Sequence, residues 1–225
     1  MNVLITGGAS GLGAAVARRV ADDGGRPLVL DRHPPKEDFE SMQADLADRR
    51  CAERAVHGLA RAAGGLNAVV TAAGIDACGA LEEVPAEDWE RVVQVNLLGT
   101  AAVVRSALPY LENEPRGRVV TVASTLGFKA VGDATAYCAS KFGVVGFTRA
   151  LAAETAGRVA VTMIVPGGMD TAFFDDRSAR YRPGPDAELN NPRDVASAVA
   201  FALSQPPGCE VRELVVCPSR EPSWP

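Results

Sequence analysis

Two residues able to exchange a proton, Tyr137 and Lys141, lie four positions apart in the apolar segment AYCASKFGVVGF. On a helix this spacing puts both side chains on one face, with Cβ atoms about 5–6 Å apart. A nearby ammonium favours the phenolate, so the spacing predicts a tyrosine pKa below its ordinary value of about 10. Such a phenol can donate a proton to a carbonyl oxygen or accept one from an alcohol. Taken alone, the spacing also fits a half-buried tyrosine beside a surface lysine.

Ser124 lies thirteen residues before Tyr137, at the end of the β-branched run GRVVTVAS. Ligands of parallel sheets bind beyond the carboxyl ends of the strands, so this hydroxyl is predicted to face the same site as the tyrosine. The alternative is an ordinary hydroxyl in a turn. Thr125 is the neighbouring candidate, but the spacing favours Ser124.

A glycine-rich loop follows the first predicted strand and opens the first predicted helix. Glycines in this position permit a tight turn and a close approach of the backbone to a phosphate, and the helix N-terminus attracts its charge. Asp31 ends the second strand, where a carboxylate can accept hydrogen bonds from ribose hydroxyls. The pattern predicts a dinucleotide site rather than a structural turn, with the loop residues Thr6, Gly7, Ser10, Gly11, Leu12 and Gly13 as ligands.

Strand-like and helix-like segments alternate along the whole chain, which predicts an α/β fold with a parallel sheet covered on both faces. The predicted strands are 2–6, 26–31, 66–74, 117–124, 159–167 and 211–218, with a weaker one at Ser41–Asp45. The predicted helices are Leu12–Asp22, Arg49–Ala63, Trp89–Tyr110, Ala136–Ala156 and Arg193–Leu203. No linker divides residues 1–225, so we expect one domain, with residues 168–190 forming a long loop over the substrate.

Composition excludes several classes of function. The net charge of -5 and the pI of about 5.2 argue against a nucleic-acid binder. The sequence shows no apolar run of the roughly 18 residues that span a bilayer and no leader peptide, so we expect a cytoplasmic protein. The 5 scattered cysteines favour neither a disulfide framework nor a metal site, and we expected them to be buried. Only 2 histidines, His33 and His57, are available, so imidazole chemistry has few candidates.

Together these motifs resemble the short-chain dehydrogenase/reductase family, and the resemblance covers nearly the whole chain. It rests on T-G-x-x-x-G-x-G at the first loop, Asp45-Leu46, Ala73-Gly74, Asn96, Ser124, Tyr137-x-x-x-Lys141 and Pro166-Gly167. The resemblance implies a Rossmann-type doubly wound parallel sheet of about seven strands in a single domain. It also implies an NAD(P)-dependent oxidoreductase that acts on a small-molecule alcohol or ketone, without a metal.

The resemblance implies roles for individual residues. The implied catalytic residues are Asn96, Ser124, Tyr137 and Lys141, and the implied cofactor contacts beyond the glycine loop and Asp31 are Asp45, Leu46, Ala73, Gly74, Tyr137, Lys141, Pro166, Gly167 and Thr171. Ser124 would bind the substrate oxygen, Lys141 the nicotinamide ribose, and Asn96 a proton-relaying water. Two alternatives remain open: Asn96 bridging backbone groups, and Asp45 capping the helix that follows.

The choice of cofactor depends on charge. Asp31 would repel a 2′-phosphate and accept a hydrogen bond from a 2′-hydroxyl. Ser10 stands where relatives that prefer the phosphate often carry a basic residue. Arg32 argues in the other direction, because it could contact a phosphate. On balance the sequence favours NAD over NADP.

Some features of the chain depart from the family pattern or remain open. The short connection from Asp31 to Asp45 contains Pro34-Pro35, which predicts that the usual helix is shortened or lost. The tail 218–225 carries Trp224, which could pack on a neighbouring subunit or fray. The resemblance implies a homodimer or homotetramer, with Ala136–Ala156 as a contact helix. The alternative function is an inactive NAD-binding sensor or scaffold, and the chain is too short for an epimerase with a substrate domain.

Overall fold

The computed structural model describes residues 1–224 and forms a layered α/β domain. The strands are β1 (Asn2–Thr6), β2 (Arg26–Asp31), β3 (Glu40–Gln43), β4 (Ala68–Thr71), β5 (Arg118–Val122), β6 (Ala160–Pro166) and β7 (Glu213–Val216). The helices are α1 (Gly11–Asp22), α2 (Arg49–Ala63), α3 (Ala86–Val93), α4 (Thr100–Leu111), α5 (Thr135–Glu154) and α6 (Pro192–Leu203).

All seven strands lie in one parallel sheet in the order β3-β2-β1-β4-β5-β6-β7. The inner strands are buried on both faces, as β-branched residues on consecutive positions predict. β1 pairs with β2 on one side and with β4 on the other. The connection after β1 therefore leads toward one edge of the sheet, and the connection after β4 leads toward the opposite edge. The predicted Rossmann-type sheet is confirmed, and the crevice of such a sheet lies at this reversal.

Two apolar layers hold the helices against the sheet. On one face, α2, α4 and α5 bury a cluster that contains Leu4, Leu59 and Leu111. On the other face, α1 and α6 pack together on a cluster that contains Val16 and Val199. Each fully buried side chain of this size contributes about 1.5–3 kcal/mol of transfer free energy, so both layers fix where the strands end.

The connection between β2 and β3 contains no helix, as the short spacing predicted. Residues 32–39 form bends and extended chain instead. As a result the edge strand β3 is mostly exposed, and the side chain of Met42 is 40% accessible. The adenine side of the predicted cofactor site is therefore open.

Two expectations from the sequence were wrong: that no segment is long and apolar enough to span a bilayer, and that the cysteines are buried. The continuous helical stretch Ala86–Leu111, in which the π-helical segment Gln94–Gly99 joins α3 to α4, is long and apolar enough to span a membrane by length and composition. Of its most apolar window 56% is buried inside the domain, which is the position of a core helix. Among the cysteines only Cys138 is buried, while Cys209 is exposed and the other three are half-buried.

Candidate active site

A cavity of about 1060 Å³ lies at the carboxyl ends of the strands. It runs from the glycine loop, past the ends of β4 and β5, to the residues 168–190 and the C-terminal tail. The predicted site residues that line it are Gly7, Ser10, Gly11, Leu12, Gly13, Asp31, Asp45, Leu46, Ala73, Gly74, Ser124, Tyr137, Lys141, Pro166, Gly167 and Thr171. Thr6 and Asn96 do not line it, because both side chains are buried beneath its floor.

The glycine loop forms a cradle that larger residues cannot form. Gly7 has φ +71 and Gly11 has φ +51, both in the left-handed region. A Cβ on Gly13 would lie 2.1 Å from the Gly7 carbonyl oxygen, so α1 and the loop touch backbone to backbone. Ser10 precedes α1 without capping it through its side chain, so the first-turn amides of the helix are available to an anion. The loop therefore fits a pyrophosphate.

Thr6 and Asn96 hold the loops that form the floor. The Ala73 amide donates to Thr6 Oγ1 over 3.2 Å and ties β4 to β1. Asn96 accepts from the Ile75 amide and donates to the Ile75 carbonyl, both over 2.9 Å, and it donates to Ser140 Oγ over 3.0 Å. The structure thus shows the backbone-bridging alternative for Asn96, within the π-helical segment.

Asp31 is held in place at the adenosine end of the cavity. Its two carboxylate oxygens accept from the amides of Ala9 and His33, each over 3.0 Å. Within the described part of the chain it has no ion-pair partner, so its charge is not neutralised. Arg32 is exposed and also lines the cavity.

Asp45 pairs with an arginine instead of capping a helix. Burial alone would raise the pKa of Asp45, but the hydrogen bonds from Arg91, over 2.7 Å, and from the Ala47 amide, together with the nearby positive charges, outweigh it and the pKa is lowered. Its other oxygen accepts from the Ala47 amide over 2.9 Å. The cap of α2 is Asp48, which accepts from the Cys51 amide, so the capping alternative for Asp45 was wrong.

Tyr137 and Lys141 share one face of α5, but the predicted depression of the tyrosine pKa was wrong. Burial raises the pKa of Tyr137 to about 12, and the adjacent Ser124 hydroxyl only partly offsets this effect. Lys141 Nζ lies 5.6 Å from the centre of the Tyr137 ring and donates to the Val122 carbonyl over 2.9 Å. The ammonium is therefore directed at the end of β5 rather than at the phenol.

Lys141 is itself strongly perturbed. Its residue is only 4% exposed, and burial lowers the pKa of Lys141 to about 8. Lys141 Nζ and Asn96 Oδ1 both lie within 4 Å of the point where a Cβ on Gly74 would be. Gly74 thus leaves room for a ligand atom between these two polar groups. A perturbed lysine in a cavity is typical of functional sites.

Residues 168–190, which we call the lid, fold over Tyr137. The rings of Tyr137 and Phe173 are in contact, with centres 5.7 Å apart. The guanidinium of Arg177 lies 5.1 Å from the Phe173 ring centre and 4.6 Å from that of Phe174. Its Nη2 is 2.6 Å from Asp76 Oδ2, and the two side chains are only 18% and 5% exposed. The charged residues of this loop, Arg177 among them, predict a solvated outer face, and for Arg177 this prediction is wrong.

Asp76 also holds a thiol beside the cavity. The Cys78 thiol donates to Asp76 Oδ2 over 3.1 Å. Burial, reinforced by this hydrogen bond and by the negative charge of Asp76, raises the pKa of Cys78 to about 12. The thiol lines the cavity but stays protonated at neutral pH.

The C-terminal tail folds onto its own domain. Trp224 packs edge-on against Phe128, with ring centres 5.6 Å apart. Lys129 Nζ donates to the Pro222 carbonyl over 2.9 Å, and Ser223 Oγ lies 2.6 Å from Thr125 Oγ1. The frayed end that the sequence suggested was therefore wrong, and Trp224 stays 38% exposed.

Sequence reasoning missed the polar groups that the lid and the tail bring to the cavity. Asp76 lies two residues after Gly74 at the end of a strand, so its position at the carboxyl edge of the sheet was an available signal. Glu221 and Ser223 lie in an irregular tail and line the cavity through tertiary contacts that no local pattern encodes.

Comparison with known proteins identifies the family. The family model for short chain dehydrogenase matches residues 1–182. The chain belongs to the short-chain dehydrogenase family. It is therefore an oxidoreductase that uses NAD(P) and acts on CH–OH or C=O groups.

Individual members of the short-chain dehydrogenase family are similar over most of their length. The chain is 31% identical to the 3-oxoacyl-[acyl-carrier-protein] reductase MabA of Mycobacterium bovis, over 91% of this chain and 85% of that protein. The ligand-free aldohexose dehydrogenase of Thermoplasma acidophilum superposes with a TM-score of 0.87, at 25% identity over 96% of this chain and 92% of that one. A short chain dehydrogenase of Burkholderia cenocepacia, solved with NADP, superposes with a TM-score of 0.82, at 27% identity over 96% and 95%.

Proposed function

We propose that this enzyme transfers a hydride between the nicotinamide of NAD and a secondary alcohol or ketone, with Tyr137 as the proton donor or acceptor. The observation that carries the proposal is that Ser124, Tyr137 and Lys141 line the same cavity as the glycine cradle and Asp31. A site for a dinucleotide and a site for proton transfer are thus continuous. This is the arrangement that hydride transfer to a carbonyl requires.

The chain's own residues suit each part of the cofactor. The loop of Gly7, Gly11 and Gly13 would hold the pyrophosphate, and Asp31 the adenosine ribose. Asp45 and Leu46 would contact the adenine, while Lys141 and Tyr137 would bind the nicotinamide ribose. Gly167 and Thr171, beside Pro166, would contact the carboxamide, with Ala73 and Gly74 beneath the ring. When bound, the nicotinamide supplies or accepts the hydride.

Proton transfer follows from the two perturbed side chains. With a pKa of about 12, Tyr137 keeps its proton at neutral pH and can donate it to the oxygen of a ketone. Ser124 orients that oxygen and, with the Lys141 ammonium, stabilises the negative charge that the phenol acquires. Asn96 positions the backbone beside Gly74, where a water could return a proton to Lys141.

NAD is the preferred cofactor in this proposal. The Asp31 carboxylate is fixed by two amides and has no counter-ion among the described residues, so a 2′-phosphate beside it would be repelled. Exposed Arg32, which also lines the cavity, favours the phosphate, but it would lose side-chain entropy on ordering. The Burkholderia enzyme was solved with NADP, so both cofactors belong in the assay.

The test replaces Tyr137 with phenylalanine, which removes the titrating hydroxyl and keeps the ring. We expect kcat for ketone reduction with NADH to fall about 10³-fold, because general acid catalysis supplies about 10²–10⁴-fold. The affinity for NADH, measured by fluorescence, should fall by a much smaller factor, because Tyr137 would supply only one of the contacts to the nicotinamide ribose. Tyr110→Phe is the matched control, because Tyr110 bonds His57 over 3.0 Å outside the cavity.

Three results would contradict the proposal. Near wild-type turnover by Tyr137→Phe would remove Tyr137 from the chemistry. Binding of NADH without turnover of any alcohol or ketone would favour the sensor or scaffold alternative. A preference above about 10-fold for NADPH, equivalent to about 1.4 kcal/mol, would reverse the cofactor assignment.

A further inference from the structure

Three polar side chains form a hydrogen-bonded cluster on the cavity wall beside Ser124. Glu221 Oε1 accepts from Ser223 Oγ over 2.5 Å and from the Ser223 amide over 3.1 Å. Ser223 Oγ in turn lies 2.6 Å from Thr125 Oγ1. All three side chains line the cavity, and Thr125 directly follows Ser124 in the chain. The cluster is therefore next to the position proposed for the reacting oxygen.

The Glu221 carboxylate is fixed in one orientation. Its Oε2 accepts from the Gly168 amide over 2.9 Å at the start of the lid. A Cβ on Gly167 would lie 2.1 Å from the same oxygen, so only glycine there lets the carboxylate approach the backbone. The tail that carries Glu221 is held in place by a hydrogen bond from Lys129 Nζ to the Pro222 carbonyl. A polar group held this firmly is preorganised for a ligand.

The carboxylate retains capacity for a ligand. A carboxylate oxygen can accept two hydrogen bonds, and Oε2 receives one from the described residues. Glu221 also has no ion-pair partner in the part of the chain that the structure describes, whereas Asp76, on the other side of Tyr137, is neutralised by Arg177. Glu221 thus presents an uncompensated negative charge and an acceptor to the cavity.

We infer that Glu221 is a specificity-determining residue that accepts a hydrogen bond from a second hydroxyl of the substrate, so that the enzyme prefers uncharged vicinal diols and polyols. The inference rests on the proposed function, because the first hydroxyl is the one that Tyr137 and Ser124 handle. Thr125 and Ser223 extend the same wall with groups that donate as well as accept.

The chemistry of Glu221 also sets what the site rejects. A simple secondary alcohol leaves Oε2 facing an apolar group, and sites built to bind a hydroxyl discriminate strongly against analogues that lack it. A hydroxy acid brings a second negative charge to the carboxylate, and like charges repel in a cavity of reduced dielectric constant. The order of preference is therefore diol, simple alcohol, hydroxy acid.

Three four-carbon substrates test this order: 2,3-butanediol, 2-butanol and 3-hydroxybutyrate, each oxidised with NAD. We expect kcat/KM for the diol to exceed that for 2-butanol at least about 10-fold. In Glu221→Leu the ratio of these two values should fall by the same factor. In Glu221→Gln, which keeps an acceptor without the charge, the ratio should partly survive and kcat/KM for 3-hydroxybutyrate should rise.

The matched control is Glu154→Leu, which removes an exposed carboxylate at the end of α5 and should leave the ratio at its wild-type value. Calorimetric titration of the diol into the Tyr137→Phe variant with NAD separates binding from chemistry. Glu221-dependent binding of the diol to a wild-type protein that turns over no alcohol or ketone would contradict the proposed function and support the binding role of Glu221. An unchanged ratio in Glu221→Leu, or a wild-type enzyme that neither binds nor oxidises the diol better than 2-butanol, would overturn it.

Discussion

Tyr137 and Lys141 are both shifted toward their uncharged forms by the same cause, which is removal from water. The pKa of the phenol rises to about 12 and that of the ammonium falls to about 8. Near pH 7 the site therefore holds a neutral phenol beside a charged lysine. This state is ready to donate a proton, because the positive charge is present before the phenolate forms.

Lys141 makes the stability of the protein depend on pH. Between about pH 8 and 10 the folded chain has released this proton while the unfolded chain, with a pKa of 10.5, retains it. The unfolded state then binds more protons, so the free energy of unfolding rises with pH. Below pH 8 both states are protonated, and the folded state bears the cost of burying the ammonium. Lys141→Met removes this cost of burying the ammonium, which is on the order of 3 kcal/mol in total.

The measurement is urea denaturation of the cofactor-free protein at pH 7, 8, 9 and 10. Relative to Lys141→Met, the wild type should gain stability steadily above pH 8. Lys36→Met, which removes an exposed lysine, should follow the wild-type curve. Parallel curves for wild type and Lys141→Met would mean that the lysine is not desolvated. The raised pKa of Tyr137 has the opposite effect, because it lowers the free energy of unfolding as the pH rises, but only above pH 10.

The lid is the element that the structure ties most directly to the site. Arg177 and Asp76 form an ion pair that is largely buried, and breaking such a pair by removing one partner costs about 3–5 kcal/mol. Because this pair joins the lid to the loop after β4, we expect Asp76→Asn to open the lid rather than unfold the domain. Trypsin cleavage after Arg180 should accelerate at least about 10-fold, since 1.4 kcal/mol is a tenfold change in population.

A double variant separates loss of the pair from loss of charge. Asp76→Leu with Arg177→Met replaces the buried pair by apolar groups, and such replacements are often neutral in stability. We expect its cleavage rate to return toward that of the wild type. Asp175→Asn, an exposed carboxylate on the same lid, is the control and should not change the rate. If Asp76→Asn is cleaved no faster than the wild type, the pair does not hold the lid.

At the level of elements the sequence was most informative where one local rule determined the outcome. The alternation of buried strands and amphipathic helices predicted the parallel sheet. The Asn191-Pro192 pair predicted the start of α6, where Asn191 accepts from the Arg193 amide over 2.9 Å. The short, proline-containing connection predicted the missing helix before β3.

Prediction failed where burial or tertiary contact decided the outcome. The pKa of Tyr137 depends on how much water the lid excludes, and no spacing rule contains that information. The sequence predicted an exposed Arg177, because its partner, Asp76, lies 101 positions earlier in the chain. The Glu221 carboxylate lies where a side chain at position 167 would be, and this proximity is visible only once both segments are placed in space.

At the scale of the whole molecule, exposed apolar side chains cluster on the surface of α5 and next to it. Phe142 is 45% exposed and Leu98, on the π-helical segment, is 57% exposed. Such residues on a helix face are typical of contacts between subunits. We propose that the protein is a homodimer or homotetramer that uses α5 as one contact.

Phe142→Glu places a charge on that face and should reduce the molar mass in solution at least twofold, because a buried unpaired charge costs several kcal/mol at an interface. Sedimentation equilibrium provides the measurement. Val131→Glu, a charge introduced at a 42% exposed position outside α5, should leave the assembly intact. A wild-type protein that sediments as a monomer, or a variant with unchanged mass, would exclude this face as the contact.

Cys78 places a thiol of low reactivity in the wall of the cavity. Alkylating electrophiles and peroxides attack thiolates, and a thiol with a pKa of about 12 forms almost none at cellular pH. The exposed Cys209 is reached first, at a position outside the cavity. The cysteine that lines the cavity is therefore the less reactive of these two thiols toward electrophiles and peroxides.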